Sequence, residues 1–317
     1  MILVKSNKFL LMYLISLIVL INSCTGSGNS PSITNPDLYK GTQGLEIEVI
    51  SNLPERIFEN EPFEYVVKLT NNGVYDIKNG VLTLNVEKDY LSVDGKNIKK
   101  ENINLQGKEI FQTLDDFEIK QFTIKSGNLD QTSQTHETLI LTSACYDFMA
   151  KAFADICIDS DPHDINPTEK ECKTKKIDLS KGQGGPVLIS LIEPRMIMDD
   201  NYLRPQFKIH VKNSGRGTVL QHGREDTFCS SGNIAREQYN KVILSELSFS
   251  TFKKNDFDCS PEPLRLKGNE DVITCTLKTG KISKDITNYL TPITLELKYG
   301  YLISNSDMVK IEKILTS

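Results

Sequence analysis

The chain has 317 residues, a formal net charge of −5, 8% aromatic residues and no tryptophan. That length exceeds one ordinary sandwich and suits two domains behind a leader. Mild acidity excludes the basic stripe of a nucleic-acid binder, and the lack of tryptophan excludes a carbohydrate platform of stacked indoles.

Residues 1–24 read as an export leader. Lys5 and Lys8 form a short positive region, and Phe9 to Ile21 (FLLMYLISLIVLI) follow as 13 uncharged, mostly apolar residues. A run of that length fits a secretory core, whereas a spanning helix needs ~20 apolar residues. Ile21-Asn22-Ser23-Cys24 resembles a lipobox, with Asn22 departing from the usual small residue. The resemblance implies that Cys24 is lipidated and becomes the mature N-terminus. The alternatives are a plain cleaved leader and an uncleaved anchor. Residues 25–43 are rich in Ser, Gly, Asn and Pro and have little to bury, as a flexible tether does.

From residue 44 onward the hydrophobic period is two, the period of strands. Leu45, Ile47 and Val49 alternate with Glu46 and Glu48; Phe63, Tyr65, Val67 and Leu69 follow, then runs at 81–86 and 117–124. The best helical candidate, Asn233 to Lys241, is two turns at most. An internal repeat supports two copies. FEYVVKLTNNG (63–73) matches PQFKIHVKNSG (205–215) at an offset of 142, each ending in Asn-x-Gly, where positive φ at glycine is expected to turn the chain. Ile140, Thr142, Ala144, Tyr146 and Phe148 match Ile293, Leu295, Leu297, Tyr299 and Tyr301 at an offset of 153. Each of these runs is expected to turn into a return strand, carrying Ile156 and Ile158 in the first copy and Val309 and Ile311 in the second. The 11 extra residues of the second copy are placed in Leu220 to Asn240. The expected fold is all-β: two tandem immunoglobulin-like antiparallel β-sandwiches, 44–180 and 187–317, joined by a glycine-rich hinge at 181–186. The alternating strands, the Asn-x-Gly turn and the aromatic closing segment resemble CARDB-type and related immunoglobulin-like domains of prokaryotic, especially archaeal, surface proteins. That resemblance concerns architecture and implies no activity.

Six cysteines follow Cys24, an even number that reads as a disulfide framework in an exported chain. Cys259 and Cys275 lie symmetrically about the Lys267-Gly268 turn. Cys157 and Cys172 bracket a polar loop whose closure contributes roughly 3 kcal/mol in the chain-entropy account. That scheme leaves Cys145 for Cys229; the rival scheme pairs Cys145 with Cys157 and Cys172 with Cys229. Zinc is disfavoured because no C-x2-C pair occurs.

Catalytic signatures are missing. His136, His163, His210 and His222 have no recognisable partner spacing, and no nucleophile elbow, zinc-binding helix or phosphate loop occurs. Asp159, Asp161 and Asp164 form a weak calcium candidate. It departs from the EF-hand pattern at Asp164 and at Lys170, which stands where the bidentate glutamate belongs, so a solvated loop is the main reading and no other cofactor is expected. The sequence therefore points to a non-enzymatic surface module that is held at the membrane and binds an envelope protein or glycan, with Leu220 to Asn240 as the recognition segment. The alternative is a substrate-capturing lipoprotein serving a transporter or envelope enzyme complex.

Overall fold

Strand β3 (Pro62–Asn71) shows how the pattern becomes structure. Phe63, Tyr65, Val67, Leu69 and Asn71 are buried, while Glu64 and the residues that alternate with it face outward. The computed structural model describes residues 39–108, 115–161, 165, 169–199, 202–224, 229, 234–278, 282–283 and 288–314. The first half contributes β1 (Leu45–Val49), β2 (Arg56–Phe58), β3, β4 (Ile77–Val86), β5 (Leu91–Val93), β6 (Ile98–Leu105), β7 (Phe117–Ser126), β8 (Thr135–Ile158) and β9 (Ile177–Asp178). The second contributes β10 (Val187–Asp199), β11 (Tyr202–Asn213), β12 (Thr218–Leu220), β13 (Lys241–Phe249), β14 (Phe252–Lys253) and β15 (Phe257–Ser260). It closes with β16 (Leu264–Arg265), β17 (Glu270–Leu277), β18 (Ile282–Ser283) and β19 (Tyr289–Glu312). The stretch read as a helical candidate holds only a 3-10 turn at Arg236–Gln238. Among the described residues no helix is long and apolar enough to cross a membrane.

The fold is all-β, and nearly every strand pair is antiparallel; β2 beside the end of β19 is parallel. A central sheet runs β14-β13-β19-β8-β4-β6. Two smaller sheets, β1-β3-β7-β5 and β15-β17-β11-β10-β9, supply the opposing layers of the first and second halves. One hydrophobic core runs through both halves, from Leu45 to Ile311.

Three expectations need correction. The closing runs do not turn back on themselves: β8 and β19 are single strands of 24 residues that pair with each other along their whole length. Even-numbered residues of β8 stay inward from Thr138 to Ile158, so the phase never breaks. Small Ala150, Ala152 and Ala154 blurred the pattern there. In β19 the polar run Ser304-Asn305-Ser306-Asp307 imitates a turn, yet Ser304 Oγ meets Ser143 Oγ at 2.9 Å and Asp307 accepts from the Tyr65 hydroxyl at 2.8 Å.

The connector at 181–186 is packed, and residues Gly182 to Pro186 are buried. Gly41 N–H donates to Lys181 O (2.8 Å), Gly184 N–H to Gly41 O (2.9 Å) and Val74 N–H to Gly184 O (2.9 Å). Gly184 has φ +73°, and a Cβ there would lie 1.9 Å from Val74 Cγ2, so this glycine serves close approach and not looseness. The described residues accordingly lie within one compact unit, Pro36–Ser317.

The Asn-x-Gly glycines, Gly73 and Gly215, are absent from the positive-φ positions. They are small because rings press on them: an added Cβ would meet Phe148 Cζ at 2.5 Å and Tyr301 Oη at 2.2 Å. The turns are made instead by the asparagine side chains. Gly73 N–H donates to Asn71 Oδ1 (3.0 Å), and Gly215 N–H donates to Asn213 Oδ1 (3.2 Å).

The repeat is visible atom by atom. Leu45 pairs with Asn71 and Val187 with Asn213. Leu45 N–H donates to Tyr146 Oη at 3.2 Å, and Val187 N–H donates to Tyr299 Oη at 3.3 Å. Phe148 lies opposite Tyr299 and Tyr146 opposite Tyr301 in the β8–β19 ladder. Neighbouring rings in this aromatic group have centroids 5.7 to 6.3 Å apart.

Candidate functional site

The copies part company on the outward face of the central sheet. Asn71 Nδ2 donates to Tyr75 O and Asn213 Nδ2 to Gly217 O, which keeps the offset at 142. Val81 pairs with Cys145, however, and Ile243 with Lys298, so beyond this point the offset is 162. The second copy thus gains 20 residues, matching the segment 221–240, and drops nine further on to restore 153.

Described residues of the inserted segment contact the long strands. Cys145 of β8 is bonded to Cys229 (Cα–Cα 5.9 Å), and this pair with Leu220 forms a small apolar cluster joined by Ile234, Tyr239 and Leu302. Thr83 Oγ1 donates to Cys229 O at 3.2 Å. At the start of the segment the chain turns at Gly223 (φ +76°), whose N–H lies 3.0 Å from each Asp147 carboxylate oxygen. His222 Nδ1 lies 2.9 Å from Asp147 Oδ2.

A notch of about 480 Å³ opens beside it, lined by Val74, Tyr75, Asp76, Lys78, Asn79, Asp147, Phe148, Met149, His222 and Lys298. Its origin is a single divergence between the copies. In the second copy β12 pairs directly with β19, from Thr218–Leu302 to Leu220–Gly300. That approach requires Gly217, where an added Cβ would stand 2.3 Å from Leu302 O. The equivalent residue of the first copy is Tyr75. Its ring stands edge-on to Phe148 (5.9 Å), and its hydroxyl accepts from Lys151 N–H (3.1 Å). The start of β4 is held off β8, which pairs with β4 only from Val81 onward, and a bulge between Ile77 and Gly80 absorbs the mismatch. Burial pushes the Tyr75 phenol up to about 12. The Gly107 N–H bonded to Asp76 Oδ1 (3.0 Å) holds the Asp76 carboxyl below the usual range. Sequence inspection missed Asp147, Lys298 and Tyr75, although setting Tyr75 beside Gly217 at the 142 offset gives the signal.

The remaining predicted residues fall elsewhere. The cysteines form Cys145–Cys229, Cys157–Cys172 and Cys259–Cys275, so the rival scheme does not occur; Cys259 and Cys275 sit directly opposite across β15 and β17. Three bridges fit an oxidising, extracellular environment. His136 stacks on Tyr90 with centroids 3.6 Å apart, and His210 Nε2 lies 2.8 Å from Glu193 Oε1 on another sheet. Cys24, His163 and Asp164 lie outside the described residues.

At Asp159 and Asp161, the two described residues of the calcium candidate, the carboxylates already have partners. Lys170 Nζ sits 3.1 Å from Asp159 Oδ2 and also bonds Asp161 O, with both side chains of the ion pair under a tenth exposed. Asp159 Oδ1 accepts from Asp161 N–H and Asp161 Oδ1 from Ile165 N–H, each at 2.9 Å. The lysine that breaks the EF-hand pattern supplies the cation. Among the described residues no cluster suited to a metal occurs. Lys170→Met should therefore cost about 3 kcal/mol in urea unfolding, because it leaves a buried carboxylate without its counter-ion. Added calcium should leave the melting temperature of the unaltered chain unchanged.

No protein-family model matches the chain, and no curated protein does. Three solved structures are similar in outline. Spo0M, a sporulation control protein from Bacillus subtilis, is 12% identical with a TM-score of 0.16, over 53% of this chain and 80% of that one. The C-terminal globular domain of an oligosaccharyltransferase from Pyrococcus abyssi is 9% identical with a TM-score of 0.22, over 86% and 50%. The secreted serine protease VesC from Vibrio cholerae is 11% identical with a TM-score of 0.19, over 84% and 53%. The chain spans about half the length of the latter two. Scores this low carry no argument about function.

Proposed function

We propose that the chain is a non-enzymatic module exported to the outer face of a membrane, anchored through lipidated Cys24, that recognises an envelope protein or glycan with the segment 221–240. The observation that carries the recognition reading is the insertion: the copies agree in their strands and differ by 20 residues, of which Cys229 is bonded to Cys145 of β8. Recognition concentrates in loops set on a rigid scaffold. The leader, the lipobox-like end and the polar tether support anchoring, and a disulfide framework suited to an oxidising space supports export. The resemblance to CARDB-type surface domains fits the same reading.

The test is fractionation of cells producing the chain or its Cys24→Ala variant. The unaltered chain is expected in the membrane fraction with acyl label incorporated, and the variant without label. Recovery of the unaltered chain from the cytosol with residues 1–24 attached would sink the proposal. A second reading, capture of a small substrate for a transporter or envelope enzyme complex, is favoured by the notch beside His222.

A further inference from the structure

The polar groups of the notch are unevenly committed. Asp76 Oδ1 accepts from Gly107 N–H, and Asp76 Oδ2 faces Lys78 Nζ at 3.2 Å. Asp147 takes Gly223 N–H and stands against His222. Both carboxylates therefore already have donors, and a cationic ligand would have to displace them. Donor capacity is in greater supply. Lys298 has a carboxylate neighbour, Glu296, only at 3.6 Å, beyond hydrogen-bond range. Glu296 is itself engaged by Lys151 at 3.2 Å and by Ser245 Oγ at 2.9 Å. His222 Nδ1 is buried beside Asp147 and about a third of the side chain is exposed, which leaves Nε2 as the ring nitrogen through which it can meet a ligand. Lys151 N–H points to Tyr75, and alternation along β8 turns the Met149 peptide to the same side, toward the gap left by β4. Val74, Phe148 and Met149 provide an apolar wall between these donors.

We infer that this notch binds a small organic carboxylate carried on an apolar body, with the anionic group at Lys298 and the Nε2 edge of His222 and the body against Val74, Phe148 and Met149. The volume falls in the usual range of small-molecule sites, ~300–1,000 Å³, and the composition is the usual one of apolar walls with a few convergent polar groups. The site arises where one repeat keeps a tyrosine and the other a glycine; in the second copy β12 pairs with β19 at the equivalent place. This inference deepens the capture reading of the same surface and does not depend on anchoring.

Titration calorimetry on the full chain in detergent, with N-acetylphenylalanine and its neutral amide as probes, tests it. The acid should bind, and the amide should bind at least roughly tenfold more weakly. Lys298→Met should weaken the acid by roughly tenfold, and Lys298→Arg should hold it within about threefold. Lys298 is an outward-facing residue with only a long ion pair, so the methionine variant should melt like the unaltered chain. Should that variant misfold, the acid-against-amide comparison on the unaltered chain still decides. Equal affinity for acid and amide, an unaffected folded Lys298→Met variant, or no acid binding up to about 10 mM would each overturn the inference. The same titration on Cys24→Ala separates the two proposals: loss of membrane anchoring leaves the heat of binding intact, and a silent notch leaves the fractionation result intact.

Discussion

Alkaline titration should unfold the protein cooperatively between about pH 10 and pH 12, with tyrosinate absorbance and loss of tertiary circular dichroism rising together. Burial pushes the Tyr75 and Tyr301 phenols up to about 12, and it raises those of Tyr65, Tyr146 and Tyr299 as well. In the unfolded chain a phenol titrates near 10. A raised folded value means that the unfolded state sheds its proton first. The stabilisation is therefore complete below about pH 10 and is lost as the pH climbs through the folded values. At pH 12 Tyr75 and Tyr301 together cost about 4 kcal/mol, a large share of the stability of an ordinary domain, and ionisation of the other three adds to the loss. Three of the five, Tyr146, Tyr299 and Tyr301, belong to the aromatic group between β8 and β19, so their ionisation strikes the seam that joins the copies. Five tyrosines titrating near 10 while the near-ultraviolet signal persists would refute this account.

Asn71→Ala and Asn213→Ala should each lower the unfolding free energy by about 4 kcal/mol, with the urea m-value unchanged. Asn71 is fully buried; its Nδ2 donates to Tyr75 O and Gln106 O, both at 2.9 Å, and its Oδ1 accepts from Gly73 N–H. Asn213 donates to Gly217 O (3.0 Å) and accepts from Gly215 N–H and from the Tyr301 hydroxyl at 3.1 Å. Alanine strands three polar partners in each case, and an unsatisfied buried group costs ~1–3 kcal/mol. Similar losses from the two variants would reflect their equivalence within the repeat. A loss below about 1 kcal/mol in either would mean that water replaces the amide there.

What could be read in advance follows from which physical signals are local. Alternation in β1 and β3 is written residue by residue, and the 142 and 153 offsets carry the duplicated frame. The cysteine pair at 259 and 275 was legible because its turn lies midway between the two residues. The join between copies was not. Nothing local states that Thr135 will face Glu312, and the alanines of β8 and the polar run of β19 weaken the alternation where the strands continue. Glycine at 182, 184 and 185 suggested freedom, whereas the demand at Gly184 is the nearness of Val74. The notch was hidden for a related reason. It depends on the difference between Tyr75 and Gly217, and neither residue is remarkable by itself.

The full-length pairing of β8 with β19 also bears on how the chain is made. Thr135 finds its partner at Glu312, 177 positions later, and Ile158 finds Tyr289. Until β19 has left the ribosome and any export channel, β8 carries a naked edge along a strand of 24 residues. Folding must therefore wait for β19, and in the interval the nascent chain offers a template for cross-pairing with its neighbours. Neither copy, once released alone, would inherit a finished sheet; the two halves mature together.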